Sequence, residues 1–255
     1  MAEKPRGRFV WFDLMTTDPD RAVGFYPRIT GWGTTQLQGS APYTMWTNKG
    51  APIGGVTRLP AGAAAPPHWL AYISTPDVDA TMAQATGLGA AVVSPAADIP
   101  NVGRFAVLTD PQGAVFAIFS PAGEAPGHDG EPRRGEFSWH ELATNDVPAA
   151  LQFYQALFGW EAPQAMDMGP GGIYQEYSRA GRHLGGMYKK PSEAAAPPAW
   201  LHYILVDDVQ RAVETTTDRG GRIVNGPMEV PGGDTIAVGV DPQGAMFALH
   251  AKKRR

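Results

Sequence analysis

Apolar and polar residues alternate from Phe9 to Thr16 (Phe-Val-Trp-Phe-Asp-Leu-Met-Thr), which predicts a strand with one buried face. The period then changes. Ala22, Phe25, Tyr26 and Ile29 recur at spacings of three and four and mark one apolar face of a helix. Asp18 offers a side-chain cap, Pro19 suits the first turn, and Gly31 stops the helix. Three short strands are predicted at 35–37, 43–47 and 53–58, separated by Gly and Pro turns. A strand at 69–74 and a helix at 77–87 follow, then strands at 91–94, 104–109 and 114–119. The unit strand–helix–three strands thus occurs twice within about 120 residues.

The whole pattern is then repeated. Residues 9–32 align with 137–160 at a shift of 128, and ten of these 24 positions are identical, including Phe-Tyr and Gly-Trp. Beyond them the shift becomes 131, which places a three-residue insertion of the second copy in the 166–172 loop. At that shift Ile53-Gly-Gly-Val56 meets Leu184-Gly-Gly-Met187, and Trp69-Leu-Ala-Tyr72 meets Trp200-Leu-His-Tyr203. Asp110-Pro-Gln-Gly-Ala-Val-Phe116 likewise meets Asp241-Pro-Gln-Gly-Ala-Met-Phe247. Residues 120–134 are rich in Pro, Gly and charge, without apolar periodicity, and read as an exposed linker. The expected organisation is a first module at 1–120, a linker at 121–134 and a second module at 135–255. The expected class is α+β, each module a pair of βαβββ units forming a curved mixed sheet around a cavity.

Composition narrows the function. The net charge of −4 over 255 residues argues against a nucleic-acid footprint. The one basic run, Lys252-Lys253-Arg254-Arg255, reads as a solvated tail. The absence of cysteine excludes disulfides, thiolate chemistry and cysteine-held metal, and fits a reducing cytosol. The charged start from Met1 to Arg8 is not a signal peptide, and no apolar run approaches a membrane span. A cytoplasmic protein, monomer or homodimer, binding neither nucleic acid nor membrane, is expected.

Taken in order, Thr-x-Asp, Phe-Tyr, Gly-Trp, Trp-Leu-x-Tyr and Asp-Pro-Gln-Gly-x-x-Phe resemble the vicinal-oxygen-chelate superfamily of glyoxalases, bleomycin-resistance proteins and extradiol dioxygenases. The resemblance covers nearly the full length. It is strongest to tandem glyoxalase-like proteins of actinobacteria, some of which carry a hydroxylase or antigen label. It implies a cavity between curved sheets and a divalent metal held by His, Glu or Gln at three strand positions. Carried over position by position, those are Trp11, Trp69 and Ala117 in the first module and Trp139, Trp200 and Ala248 in the second. None of these side chains ligates an ion, so no cofactor is expected at the usual place.

The four tryptophans read either as core filler or as the walls of a pocket for a small apolar or aromatic molecule. Strand parity places Asp13 beside Trp11 and Glu141 beside Trp139. Each carboxylate is either a structural hydrogen-bond acceptor or a general base and ligand anchor. His202 shares a face with Trp200, and His250 with Ala248. Glu141, His202 and His250 could form a displaced site for a divalent metal such as Fe(II), or the histidines could carry protons near neutral pH. His140 reads as structural and His68 as a loop residue, while His128 and His183 attract no role. The Gly54-Gly55 and Gly185-Gly186 pairs read as bulges or tight turns. No Walker, Rossmann, nucleophile-elbow or Ser-His-Asp arrangement is apparent.

Three functional readings follow. The first is a metal-independent small-molecule-binding protein serving sequestration, resistance or detoxification, with Trp11, Asp13, Trp69, Trp139, Glu141, Trp200, His202 and His250 as ligand-binding candidates. The second is an enzyme of lyase, isomerase or hydroxylase type, using Glu141 with His202 and His250, metal-free or with the displaced metal. The third is an interaction scaffold.

Overall fold

The computed structural model describes residues 4–37, 43–60, 62–63, 65–192 and 196–253. Residues 1–3 and the last two residues of the basic tail lie outside the described residues. The first repeat builds β1 (Phe9–Thr16), α1 (Pro19–Thr30), β2 (Gly33–Leu37), β3 (Tyr43–Asn48), β4 (Ala51–Arg58), β5 (His68–Ser74), α2 (Val78–Gly87), β6 (Ala91–Ile99), β7 (Gly103–Thr109) and β8 (Val115–Pro121). The second builds β9 (Phe137–Thr144), α3 (Val147–Phe158), β10 (Ala165–Asp167), β11 (Ile173–Arg179), β12 (Arg182–Lys189), β13 (Ala199–Leu205), α4 (Val209–Asp218), β14 (Arg222–Glu229), β15 (Thr235–Val240) and β16 (Met246–Ala251). The order is the α+β one expected, as two tandem modules.

Two eight-stranded mixed sheets result, in the orders β2-β3-β4-β1-β5-β8-β7-β6 and β10-β11-β12-β9-β13-β16-β15-β14. Pairing is parallel at β1–β4, β5–β8, β9–β12 and β13–β16, and antiparallel in the hairpins. A 3-10 turn at Gly169–Gly171 falls in the loop assigned to the insertion. The strand expected at 91–94 runs on to Ile99, because Pro95 sits where the ladder with β7 shifts register and so interrupts no regular bond. Between Pro121 and Phe137 the chain holds no helix or strand and is mostly exposed, with Arg8 paired to Asp129.

By density of packing the chain divides into two compact units, each drawn from both repeats. Unit 1 holds the residues up to Trp11, Ala71–Asp129 and His140–Trp200; unit 2 holds Phe12–Leu70, Gly130–Trp139 and the residues from Leu201 on.

The recurrent motifs are the fastenings of these units. All four α-helices among the described residues open on an aspartate, Asp18, Asp77, Asp146 or Asp208, whose carboxylate accepts from a backbone N–H three residues on. In unit 1 the Asp110 carboxylate accepts the backbone N–H groups of Gln112 and Ala114, which closes the Asp-Pro-Gln-Gly turn. Its other oxygen accepts the Tyr154 hydroxyl at 3.0 Å, and that hydroxyl accepts the Trp200 indole N–H at 3.2 Å. Unit 2 repeats the chain with Asp241, Tyr26 and Trp69 at 3.0 and 3.1 Å. The Gly-Trp motif is fastened too: the Trp160 indole donates to the Gly7 carbonyl in unit 1, and the Trp32 indole to the Gly135 carbonyl in unit 2.

Burial pushes the Tyr154 hydroxyl far up, with the Asp110 charge adding to it, so the phenol stays a donor at any working pH. Replacing Tyr154 by Phe removes the donor to Asp110 Oδ2 and the hydroxyl that accepts the Trp200 indole N–H. The expected cost is about 1–3 kcal/mol, read as a lower urea midpoint; an unchanged midpoint would show that the hydroxyl fastens nothing.

Candidate functional site

Each copy carries one carboxylate–tyrosine pair, built by the same three strands. In unit 1, Glu141 on β9 stands opposite Gly186 on β12, and Gly186 stands opposite Glu176 on β11. Tyr174 lies two residues before Glu176, on the same face of β11. Its ring crosses the bare backbone of Gly186, and its hydroxyl donates to Glu141 Oε1 at 2.7 Å. A β-carbon at Gly186 would lie 2.1 Å from the Tyr174 ring, so only glycine leaves the path open. In unit 2, Tyr43 on β3 crosses Gly55 on β4 and donates to Asp13 on β1. A β-carbon at Gly55 would meet the Tyr43 hydroxyl at 1.9 Å.

The first glycine of each pair has another task. A β-carbon at Gly185 would lie 1.8 Å from the His140 carbonyl oxygen, and one at Gly54 would lie 2.1 Å from that of Phe12. The Gly-Gly pairs are therefore interior strand positions that admit close backbone approach and a crossing tyrosine. The ladder register shifts beside the first glycine of each pair, between Tyr177 and Ser178 and between Trp46 and Thr47, so the pairs adjoin β-bulges, as expected, and are not tight turns.

The second copy is the more aromatic. Tyr188 stacks on Tyr174 with centroids 6.4 Å apart and planes 11° from parallel, whereas the first copy has Thr57 at that position. Burial raises the Tyr188 hydroxyl, and the Glu141 charge raises it further; Tyr177 shows the same order of causes. Glu141 thus accepts the Tyr174 hydroxyl and lies close enough to Tyr177 and Tyr188 for its charge to help keep both phenols protonated.

The tryptophans divide. Trp69 and Trp200 bond to helix tyrosines in aromatic cores: Trp69 packs on Tyr26, Trp32, Trp46 and Phe137, and Trp200 on Phe9, Tyr154, Trp160 and Tyr177. They do not share the carboxylate face. On β13 that side belongs to Leu201, which packs with Tyr203, Ala248 and Trp139. The strand enters one residue out of phase with the sequence-based assignment, so the indole turns to the helix. Trp139 remains against this apolar cluster, and Trp11 is half-buried. Ala117 and Ala248 are fully buried methyls.

His202 is buried beside the rings of Phe12 and Phe137 at 5.3 and 6.3 Å. Burial lowers it to about 3, so it stays neutral through pH 5–8 and does not carry protons there, contrary to the expectation from its type. His140 stacks on Phe9 in the unit 1 core, as a structural residue. Glu141 falls in unit 1, while His202 and His250 fall in unit 2. Among the described residues no three His, Asp or Glu side chains are grouped to hold a metal ion. No described helix is long and apolar enough to cross a membrane.

The structure also assembles a group not apparent in the sequence. The Ser138 hydroxyl lies 2.9 Å from His250 Nδ1, and His250 Nε2 lies 2.8 Å from Asp234 Oδ2. These residues come from β9, β16 and the turn before β15. Their sequence signal is a joint departure from the first copy, which has Val10, Phe119 and Gly103 at the matching positions.

Paired βαβββ units in two mixed sheets, with a tyrosine–carboxylate pair in each copy, define a protein of the vicinal-oxygen-chelate fold. The chain belongs to the Glyoxalase/Bleomycin resistance protein/Dioxygenase superfamily, whose model matches residues 136–249, and a Glyoxalase-like domain model matches residues 9–119. It is 32% identical over 256 residues to the Mycobacterium tuberculosis protein named "Putative glyoxylase CFP32", covering 97% of this chain and 96% of that protein. It is 29% identical over 259 residues to "Anthracycline biosynthesis protein DnrV" of Streptomyces peucetius, covering 95% and 92%. Among solved structures, the Mn(II)-bound glyoxalase of Novosphingobium aromaticivorans superposes with a TM-score of 0.66 at 17% identity, covering 100% of this chain and 84% of that one. Homoprotocatechuate 2,3-dioxygenase of Arthrobacter globiformis does so with a TM-score of 0.67 at 15% identity, covering 97% and 80%. At these identities the structural likeness is one of fold.

Proposed function

We propose that this protein is a small-molecule-binding member of the superfamily, serving sequestration, resistance or detoxification, which holds a planar aromatic ligand without the family's metal. The observation that carries this is the carboxylate–tyrosine pair laid across a glycine, kept in both copies. A carboxylate that already accepts a phenol retains a lone pair for a ligand hydroxyl or ammonium, and the tyrosine rings offer a flat surface. Trp11, Trp139, Asp13 and Glu141 are the proposed ligand-facing residues. The metal-free part rests on the donor set: the positions carried over from the family hold indoles and methyls, and the indole N–H groups of Trp69 and Trp200 are committed to tyrosines. The relative named for anthracycline biosynthesis supports a hydroxylated, fused-ring ligand class.

Titrating the protein with an anthracycline and following quenching of its intrinsic fluorescence tests this reading. Saturable binding is expected, unchanged by a chelator. Glu141→Gln and Tyr174→Phe are each expected to weaken it about tenfold, the scale of one hydrogen bond to a charged group. Binding that requires added metal, or that neither substitution alters, would sink the proposal. The alternative is an enzyme in which Glu141 accepts a proton and Tyr174 steadies the developing charge. It would show as turnover lost in Glu141→Gln with binding retained.

A further inference from the structure

We propose that Ser138, His250 and Asp234 form a second, independent site in unit 2, in which Ser138 is an acyl-accepting nucleophile for small esters with apolar acyl groups or aryl leaving groups.

The geometry runs in one line. Asp234 Oδ2 faces His250 Nε2 at 2.8 Å, and the carboxylate is itself fixed, because Oδ1 accepts the Lys253 backbone N–H at 2.9 Å. A carboxylate there favours the tautomer with hydrogen on Nε2, which leaves the Nδ1 lone pair to accept the Ser138 hydroxyl at 2.9 Å. The competing acceptor, the Tyr203 carbonyl, is farther from Ser138 Oγ, at 3.3 Å. His250 is held by strand register on both sides, opposite Leu205 on β13 and Ile236 on β15. Nucleophile, base and orienting carboxylate are thus all within direct hydrogen-bond reach.

The repeat supplies an internal control. At the matching positions the first copy has Val10, Phe119 and Gly103, and there Val10 and Phe119 fill the space as buried apolar side chains. The module therefore folds without this set, and a polar triple in the second copy is not a requirement of its architecture. The substrate class follows from the neighbours. Ile236, across from His250, packs against an apolar cluster of Tyr203, Val238 and Ala248. These side chains suit a hydrocarbon or aryl group and offer no partner to a charged one.

The chemistry is a balanced acyl transfer. As Ser138 Oγ bonds to the ester carbonyl carbon, its proton passes to His250 Nδ1. The bond to the leaving oxygen breaks, and His250 returns the proton to that oxygen, which departs as the alcohol or phenol. Water then attacks the acyl-serine by the same route, releasing the carboxylic acid and restoring the hydroxyl. Asp234 acts through His250 as a positioning residue.

The test uses the full-length chain with a fluorophosphonate, which bonds to an activated serine oxygen with loss of fluoride, and with p-nitrophenyl acetate. Peptide mass spectrometry should place the adduct on Ser138, and p-nitrophenol should appear in a burst near one equivalent per chain. Ser138→Val and His250→Phe install the residues of the first copy. They should retain native circular dichroism while losing labelling and burst by on the order of a thousandfold. Asp234→Asn should slow labelling with native circular dichroism retained, and Asp234→Glu should restore the rate; an unchanged rate in Asp234→Asn would overturn the role given to Asp234. An unlabelled Ser138 in the unaltered protein, or equal labelling in His250→Phe, would overturn the site.

Discussion

Gly185→Ala is expected to lower the thermal midpoint by about 6–12 °C, more than an ordinary small-to-large change in the core. The added β-carbon would fall 1.8 Å from the His140 carbonyl oxygen, where a normal carbon–oxygen contact needs more than 3 Å. The neighbour is backbone, so no rotamer change relieves the overlap. Strands β9 and β12 must part instead, at positions where they pair as Gly185 with His140. Overpacking costs about 1–3 kcal/mol where side chains can move, and more where they cannot. About 3 kcal/mol gives the stated shift for a chain of this size. Gly186→Ala makes the contrast: its methyl meets the Tyr174 ring, which can swing away, so ligand binding should suffer more than stability. Differential scanning calorimetry of the two variants decides. Equal, small shifts would mean that the strands separate easily and that the glycines answer to some other demand.

The second large effect lies in acid. His202 takes up a proton in the native state only near pH 3, because burial opposes the charge, whereas in the unfolded chain it does so near 6.5. Between those values the unfolded state binds the extra proton, so stability rises with pH. The contribution is complete above about pH 6.5 and drains away as the pH falls toward 3. From pH 7 to pH 4.5 the loss comes to roughly 2–3 kcal/mol. His202→Phe keeps an aromatic ring beside Phe12 and Phe137 and removes the titration. Urea midpoints at the two pH values should therefore diverge for the native sequence by that amount more than for the variant. Parallel losses in both proteins would place the acid sensitivity elsewhere.

These residues also mark what the sequence made legible. The fold was readable because the chain states its pattern twice: strand alternation, the capping aspartates and the Asp-Pro-Gln-Gly turn recur at nearly constant shifts. The carboxylates Asp13 and Glu141 emerged from parity along one strand. Their partners did not, because Tyr43 and Tyr174 lie on another strand about thirty residues on, and only sheet register brings them across a glycine. For Trp69 and Trp200 the choice between core and pocket wall stayed open for a related reason. Alternation gives the period of a strand but not its phase, and a strand bearing Trp-Leu can bury either residue toward the helix. His202 has a type that suggests titration and surroundings that forbid it. The Ser138 group is assembled from β9, β16 and a turn, with no spacing that a linear reading recognises.

The composition of the compact units has a consequence for dissecting the protein. Asp110 comes from the first repeat and Tyr154 from the second, yet they fasten the same core, and Tyr26 and Asp241 do the same in the other unit. A protease nick in the segment joining the repeats would therefore release two fragments, neither holding a whole unit. Each would depend on the other through fragment complementation, and a gene cut at that boundary would encode complementary halves of two cores instead of one free-standing domain.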